Sequence, residues 1–339
     1  TLYLRGANNG ESSVGPGTLT INAGANVVCE SHNVLGHSVD ARIPHVIING
    51  GTLTPYQYLH VKTIEMTGGL IADSGTTGAG LDWQHGANTL TTHASAATAT
   101  VAARMTLTRD FTADVEDGAA DADLLVSGSI VAGGKLIKTG GGTMVLTGSN
   151  SYTGATDVLG GTLLVNGSNS GAGLVTVAGG ATLGGTGTIA AAIQAQGDAH
   201  VAPGASIGTL TTGSAAFAAE SFFDVQLNPT EWDLLSVVGG VQLNNPILNL
   251  LDLSSLSHYQ GSEYLILAND GTDAITGTFL DLPEGARFEA GGNQFAITYI
   301  GGEGSNDVVL TSVPEPATGL LLALALPAVA ARLRRRRSR

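Results

Sequence analysis

The side chains best suited to proton transfer near neutral pH are eight histidines: His32, His37, His45, His60, His85, His93, His200 and His258. They are scattered, and none sits in an H-E-x-x-H, C-x-x-C or G-x-S-x-G frame. Glycoside cleavage asks for two carboxylates roughly 5–10 Å apart in a cleft. Strands stacked about 4.8 Å apart could supply that spacing from one position on successive coils. Between Leu136 and Ala219, however, Asp157 and Asp198 are the only acids, and they stand apart, with Lys135 and Lys138 as the cations of the region. Asp114, Glu116, Asp117, Asp121 and Asp123 crowd into 110–123, but without the glycine and distal glutamate of an EF-hand; they read as a solvated acidic loop. Gly301-Gly302-Glu303-Gly304-Ser305-Asn306-Asp307 places its Asp one position away from a calcium-binding Gly-Gly-x-Gly-x-Asp turn. That motif works in stacked copies, so a single one reads as a plain turn. The expectation is a chain without a catalytic site, a metal or a cofactor.

Whatever these residues do must be positioned by the elements of 133–166, GGKLIKTGGGTMVLTGSNSYTGATDVLGGTLLVN. Short β-prone runs at 135–138, 143–147, 156–159 and 162–165 are separated by Gly, Asn and Ser. Met144 and Leu146 alternate with Thr143 and Thr147, the period of a half-buried strand. Gly-Thr-Leu-like strand starts recur at Thr143, Thr162, Thr182, Thr188 and Thr209, separated by 19, 20, 6 and 21 residues. A recurrence near twenty is the length of one β-solenoid coil, which buries its apolar face only against its neighbours. The spacing predicts mostly parallel strands over 1–250, in about twelve coils that make a rod of roughly 55–60 Å. Met144, Leu146, Leu163, Val165, Val175, Val177, Leu183 and Ile189 are expected inside.

The same residues carry a resemblance. Gly134, Leu136, Lys138, Gly140, Gly142, Thr143, Leu146, Gly148, Asn150, Tyr152, Thr153, Gly154, Thr156, Val158, Gly161, Thr162, Leu163 and Val165 fill a pattern that resembles the autotransporter-associated β-strand repeat, with Met144 in place of its usual Leu. The resemblance is strict over about a tenth of the chain. It implies a right-handed parallel β-helix displayed outside the cell, and it brings no catalytic residues.

Composition agrees. Of 339 residues 49 are Gly, and charged residues make up only 12%, which suits close-stacked strands with tight turns. The 43% hydrophobic content and the alternation argue against a disordered Gly-rich chain. Six of the 14 Lys and Arg lie in 332–339 and one of the 28 acids is Glu315, so residues 1–312 carry 8 against 27, near −19. Such a body repels phosphate, and no nucleic acid is expected as a partner. Cys29 is alone and can form no internal disulfide. The chain starts at Thr1 without a leader pattern, as a processed chain or a fragment would.

Residues 1–127 read as degenerate coils with insertions. Gly17-Thr18-Leu19 and Gly51-Thr52-Leu53 repeat the strand start 34 residues apart, and 46–48, 64–67 and the Thr/Ala-rich 89–103 are strand-compatible. Residues 128–216 are the regular repeats; within them Pro203, which cannot donate to a ladder, is expected at a corner. In 217–311 strands lengthen and large rings gather, including Phe217, Phe222, Phe223, Trp232, Tyr264 and Phe295. A cap or a few wide final coils would close the end of the solenoid there.

Residues 312–339 form a separate unit. Val313-Pro314-Glu315-Pro316 breaks the last strand and leaves an extended tetrapeptide. The apolar segment 317–331 is short for a bilayer span, and Pro327 would kink it. Arg332, Arg334, Arg335, Arg336 and Arg337 would hold the C-terminus on the cytoplasmic side. This tail resembles the PEP-CTERM sorting signal. The resemblance implies an exosortase-type membrane protease-transpeptidase as partner, transient inner-membrane anchoring in a Gram-negative-type envelope, and then transfer to the cell surface or extracellular matrix. The fold expectation is thus all-β: a parallel β-helix with a β-rich C-terminal cap and an apolar C-terminal sorting helix. The functional expectation is a structural or adhesion protein associated with exopolysaccharide or cell-surface glycans. A polysaccharide-active lyase or glycosidase and a passive self-associating filament component are the alternatives.

Overall fold

The computed structural model describes residues 1–6, 17–36, 45–84, 88–253, 261–270, 273–302 and 304–313. Among them there is no α-helix, and 37 short strands wind into a coil with three faces. The first sheet has 12 strands in chain order, from Leu2–Leu4 to Ile247–Leu251, and the second has 12, from Thr18–Asn22 to Ile275–Thr278. Both are parallel throughout. The third face is split between a four-stranded sheet, Tyr58–His60 to Ile130–Val131, and a nine-stranded one that begins at Ser149–Asn150. This is the parallel solenoid that the repeat predicts. Twelve strands at about 4.8 Å each amount to a rod of roughly 55 Å.

The core is built by alternation. Val126, Leu146 and Val165 stack in register on the first sheet, as do Leu124, Met144, Leu163, Leu183 and Val201. The eight side chains expected inside are all buried, none more than 3% exposed. Each coil is therefore stabilised mainly by its neighbours.

The coil length is less uniform than the sequence predicts. In-register steps are 20 and 19 residues from Val126 to Leu146 to Val165, but 25 and 26 from Leu2 to Val27 to Leu53, and 30 from Ile71 to Val101. Two-residue strands such as Ser149–Asn150 keep the short coils short; strands of three or four residues on the third face, and longer corner loops, lengthen the others. The five Gly-Thr-Leu-like starts are likewise not one structural position. Thr143, Thr162 and Thr182 are in register on the first sheet, whereas Thr188 and Thr209 lie on the third face, two residues out of register with each other. The 34-residue step from Thr18 to Thr52 has the same cause, because it joins the second sheet to the first.

A second correction concerns 110–123. Phe111–Val115 is a strand of the second sheet with Phe111, Ala113 and Val115 buried, so only its second half is loop. Its acidic residues hide a period-two pattern in which Thr112 and Asp114 face outward. Pro203 is the last residue of the first-sheet strand His200–Pro203, and the chain leaves the strand at Gly204 with φ of +92°.

The far end is closed by rings and by antiparallel strands. Phe217, Phe223, Phe279 and Tyr299 form a chain of ring contacts with centroids 5.7, 5.9 and 6.1 Å apart. Glu263–Asn269 continues the third face in parallel, then Asp307–Val313, Asn293–Gly301 and Arg287–Ala290 add to it antiparallel. Tyr299 Oη donates to the Leu282 carbonyl at 2.7 Å and accepts from the Phe279 N–H at 2.9 Å, which ties the last loop to the coil.

Candidate binding face

The outer side of the first sheet is where polar side chains line up over several coils. Thr143, Thr162 and Thr182 form a half-buried ladder, and the next positions in the same register are His200 and Phe222. The His200 ring lies flat on Phe222, centroids 4.4 Å apart and planes within 4°. Its Nδ1 is 2.6 Å from Asp224 Oδ2, while Asp224 Oδ1 accepts from Asn249 Nδ2 at 2.8 Å. These groups border a hollow of about 270 Å³ against the loop that follows Pro203. Asp233 lies at its back, 1% exposed, accepting the N–H groups of Gly208 and Gln226 at 2.9 and 2.8 Å. Burial pushes its carboxyl up to about 6, against the pull of those two donors.

The second sheet carries charge along the rod. His45 and His93 both reach Glu65, at 3.0 and 3.2 Å, and His93 Nδ1 continues to Glu116 at 3.2 Å. The hydrogen bond from Glu65 leads in holding the His93 imidazolium above its ordinary range. Lys135 pairs with Asp157 at 2.9 Å, so the acid that stands apart in sequence has a partner one coil away. On the third face His60 Nε2 is 3.2 Å from Asp82 Oδ2. Four of the scattered histidines are thus paired with carboxylates across neighbouring coils. Sequence reading missed them, yet a signal was present: the partners are 20 to 28 residues apart, about one coil, as in His45 to Glu65 and Glu65 to His93.

The polar residues of the repeat lie elsewhere. Lys138, Asn150, Tyr152 and Thr156 are all inside the coil, no more than 2% exposed. Asn150 Oδ1 accepts the Ile130 N–H at 2.9 Å, and Tyr152 Oη is 2.6 Å from Thr156 Oγ1. The repeat's asparagine therefore holds a turn and presents no amide to solvent. The outward amide pair is Asn49 to Asn22, 3.4 Å apart at the other end of the rod.

The acidic residues of 110–123 are dispersed. Asp114 accepts from Thr139 Oγ1 at 2.8 Å, Glu116 pairs with His93, and Asp123 accepts the N–H groups of Gly118 and Thr143, both at 2.8 Å. Among the described residues, no group of three or more His, Cys, Asp or Glu is placed to hold a metal ion. Asp307 accepts the Asn269 N–H at 2.8 Å, which commits its carboxylate to the sheet. Val313 ends the last strand, opposite Gln294. Pro314, Glu315, Pro316, Arg332, Arg334, Arg335, Arg336 and Arg337 lie outside the described residues, as do His37, His85 and His258.

Comparison with known families finds the Passenger-associated-transport-repeat over residues 136–165. No curated protein sequence matches the chain. The matched segment spans two strands each of the first and second sheets, from Leu136–Thr139 to Thr162–Val165. The repeat and the parallel solenoid together fit an exported surface protein of the autotransporter-passenger kind.

Proposed function

We propose that this chain is a surface or extracellular-matrix protein that binds exopolysaccharide along its outer strand faces without cleaving it. The observation that supports this reading is the row Thr143, Thr162, Thr182 and His200, which offers hydroxyls and an imidazole at successive coils about 4.8 Å apart. A polymer lying along the rod would meet a similar hydrogen-bonding group at each coil, and a flat ring pair, His200 on Phe222, at one end of the row. The carboxylates beside the row are already engaged, Asp224 by His200 and Asn249, Asp233 by two backbone donors. That suits positioning better than acid–base work. The winding is taken as right-handed, the hand that parallel crossovers adopt.

The tail supports a route to the surface. Val313, Pro314, Glu315 and Pro316 would be the processing site of an exosortase-type membrane protease-transpeptidase, with 317–331 held in the inner membrane and the Arg block at its cytoplasmic end. The mature protein would end near 314–316. Co-sedimentation of purified protein with exopolysaccharide, followed by mass spectrometry of the glycan, tests the binding reading; released uronate or glucan fragments would replace it with a lyase or glycosidase. Intact-mass measurement on protein from the native cell surface tests the tail, and a C-terminus at Arg339 would overturn processing.

A further inference from the structure

The third face holds a second hollow, of about 400 Å³, lined by Tyr58, His60, Gly80, Asp82, Arg104 and Asn33 among others. It arises from register. Leu59, Leu81 and Met105 point into the core, so their neighbours on three adjacent strands point out: Tyr58, Gly80 and Arg104 in one row, His60, Asp82 and Thr106 in the next. Gly80 makes the floor. Its φ is +148°, and a Cβ there would lie 2.2 Å from the Arg104 carbonyl oxygen, so no side chain fills the space between Tyr58 and Arg104.

The walls are unusual in what they leave open. Asp82 is 6% exposed; its Oδ2 is used by His60 and Gln84, but its Oδ1 is buried without a hydrogen-bond partner. Asn33 Oδ1 is buried in the same condition. Unpaired buried acceptors are costly and uncommon, and two of them line one hollow. Arg104 adds guanidinium donors at the rim. Tyr58, 45% exposed and packed against the His32 ring at 4.5 Å, adds a flat apolar wall. Two acceptors at the back, a fork of donors at the rim and an aromatic face beside them match a ring that bears adjacent hydroxyls on its edge and C–H bonds on its face. The volume lies within the range of small-ligand pockets.

We propose that this hollow binds one neutral pyranose unit, with Asp82 and Asn33 accepting from its hydroxyls, Arg104 donating to them and Tyr58 covering a face of the ring. The proposal rests on the glycan-binding reading and names a subsite for it separate from the first-sheet row. The net charge near −19 of residues 1–312 favours a neutral sugar over a polyanion.

Full-length protein is titrated with neutral methyl pyranosides and with methyl glucuronide, followed by calorimetry and by the backbone amide signals of Gly78, Gly80 and Gln84. Neutral sugars are expected to shift those amides. Arg104→Ala, Tyr58→Ala and Asp82→Asn are each expected to weaken binding about tenfold, the loss of one charge-assisted hydrogen bond or one stacking contact. Tyr58 and Arg104 are exposed, so their variants keep the fold even if the Asp82 variant does not. Neutral sugars that leave these amides unmoved overturn the subsite, as does binding of the glucuronide alone. If polysaccharide co-sedimentation persists in all three variants at full strength, the subsite falls and the first-sheet reading stands. If wild type fails to co-sediment while the amides still shift, the polymer reading falls and the subsite stands.

Discussion

From inside the coil, the ammonium of Lys138 donates to the carbonyl of Gly160 on the next turn of the chain at 3.0 Å. It also donates to the carbonyls of Thr139 and Gly140, at 2.9 and 3.0 Å. Three corner carbonyls that face inward are thereby satisfied by one side chain, which staples two successive coils. The stem packs with the core and the head closes the corner, so the lysine of the repeat is structural.

Removing that staple should be costly. Lys138→Ala leaves a cavity and three carbonyls without their donor, and a loss of roughly 2–4 kcal/mol is expected in urea unfolding. Lys138→Met refills the space without the donors and should lose less than Ala. An alanine variant as stable as wild type would show that the corner finds other donors.

Burial also lowers the Lys138 ammonium to about 8 from an ordinary 10.5, with Asp114 and Asp123 opposing the shift. The folded chain releases this proton near 8 while the unfolded chain keeps it to 10.5, so between those values the unfolded state binds more protons. Stability from this group therefore rises as pH goes from 8 toward 10.5. Unfolding midpoints of wild type measured against Lys138→Met should climb across that window. A difference that is flat with pH would contradict the lowered value.

Asp233 works in the opposite sense to an ordinary paired acid. Its carboxyl is raised to about 6 from 3.8, so the folded chain holds a proton that the unfolded chain has released. Its contribution is full below 3.8 and is lost as pH rises through 6. Asp233→Asn should remove this slope between pH 4 and 6. A variant whose midpoint keeps the wild-type slope would move the titration to another group.

The parts of the molecule that follow from alternation were legible in the sequence. Met144, Leu146, Leu163 and Val165 announce their face by period two, and the near-twenty recurrence announces stacking. Two things were not. Lys138, Asn150 and Tyr152 look like surface residues by type, and only the corner carbonyls and turns they serve draw them inside. The histidine–carboxylate pairs depend on knowing each coil's length, which runs from 20 to 28 residues across His45–Glu65 and Glu65–His93. A fixed period cannot find partners when corner loops vary.

Those pairs should matter little to stability individually. His93 is half exposed between Glu65 and Glu116, and exposed ion pairs contribute about 0–1 kcal/mol. With the folded value raised above 6.5, the contribution is present below 6.5 and fades as pH rises through the folded value. His93→Gln is expected to unfold within about 1 kcal/mol of wild type at pH 6 and to match it at pH 9. A larger loss at pH 9 would point to packing in place of charge.

The last expectation separates the binding face from the core. Thr143, Thr162 and Thr182 are half buried with side chains outward, and valine has the same branched shape and strand preference. Replacing all three by valine should leave the fold intact and remove three hydroxyls from the row a polymer would follow. If each hydroxyl contributes about 0.5–1.5 kcal/mol to a bound glycan, affinity should fall roughly tenfold or more. Met144→Ala provides the converse, since Met144 is wholly buried beneath that row: it should cost about 2–5 kcal/mol of stability yet leave affinity unchanged wherever the chain remains folded. Co-sedimentation with exopolysaccharide, run on both variants at a temperature where circular dichroism reports native strand content, distinguishes them. A triple valine variant that binds as wild type does would remove the first sheet from consideration and leave the third-face hollow as the remaining glycan site.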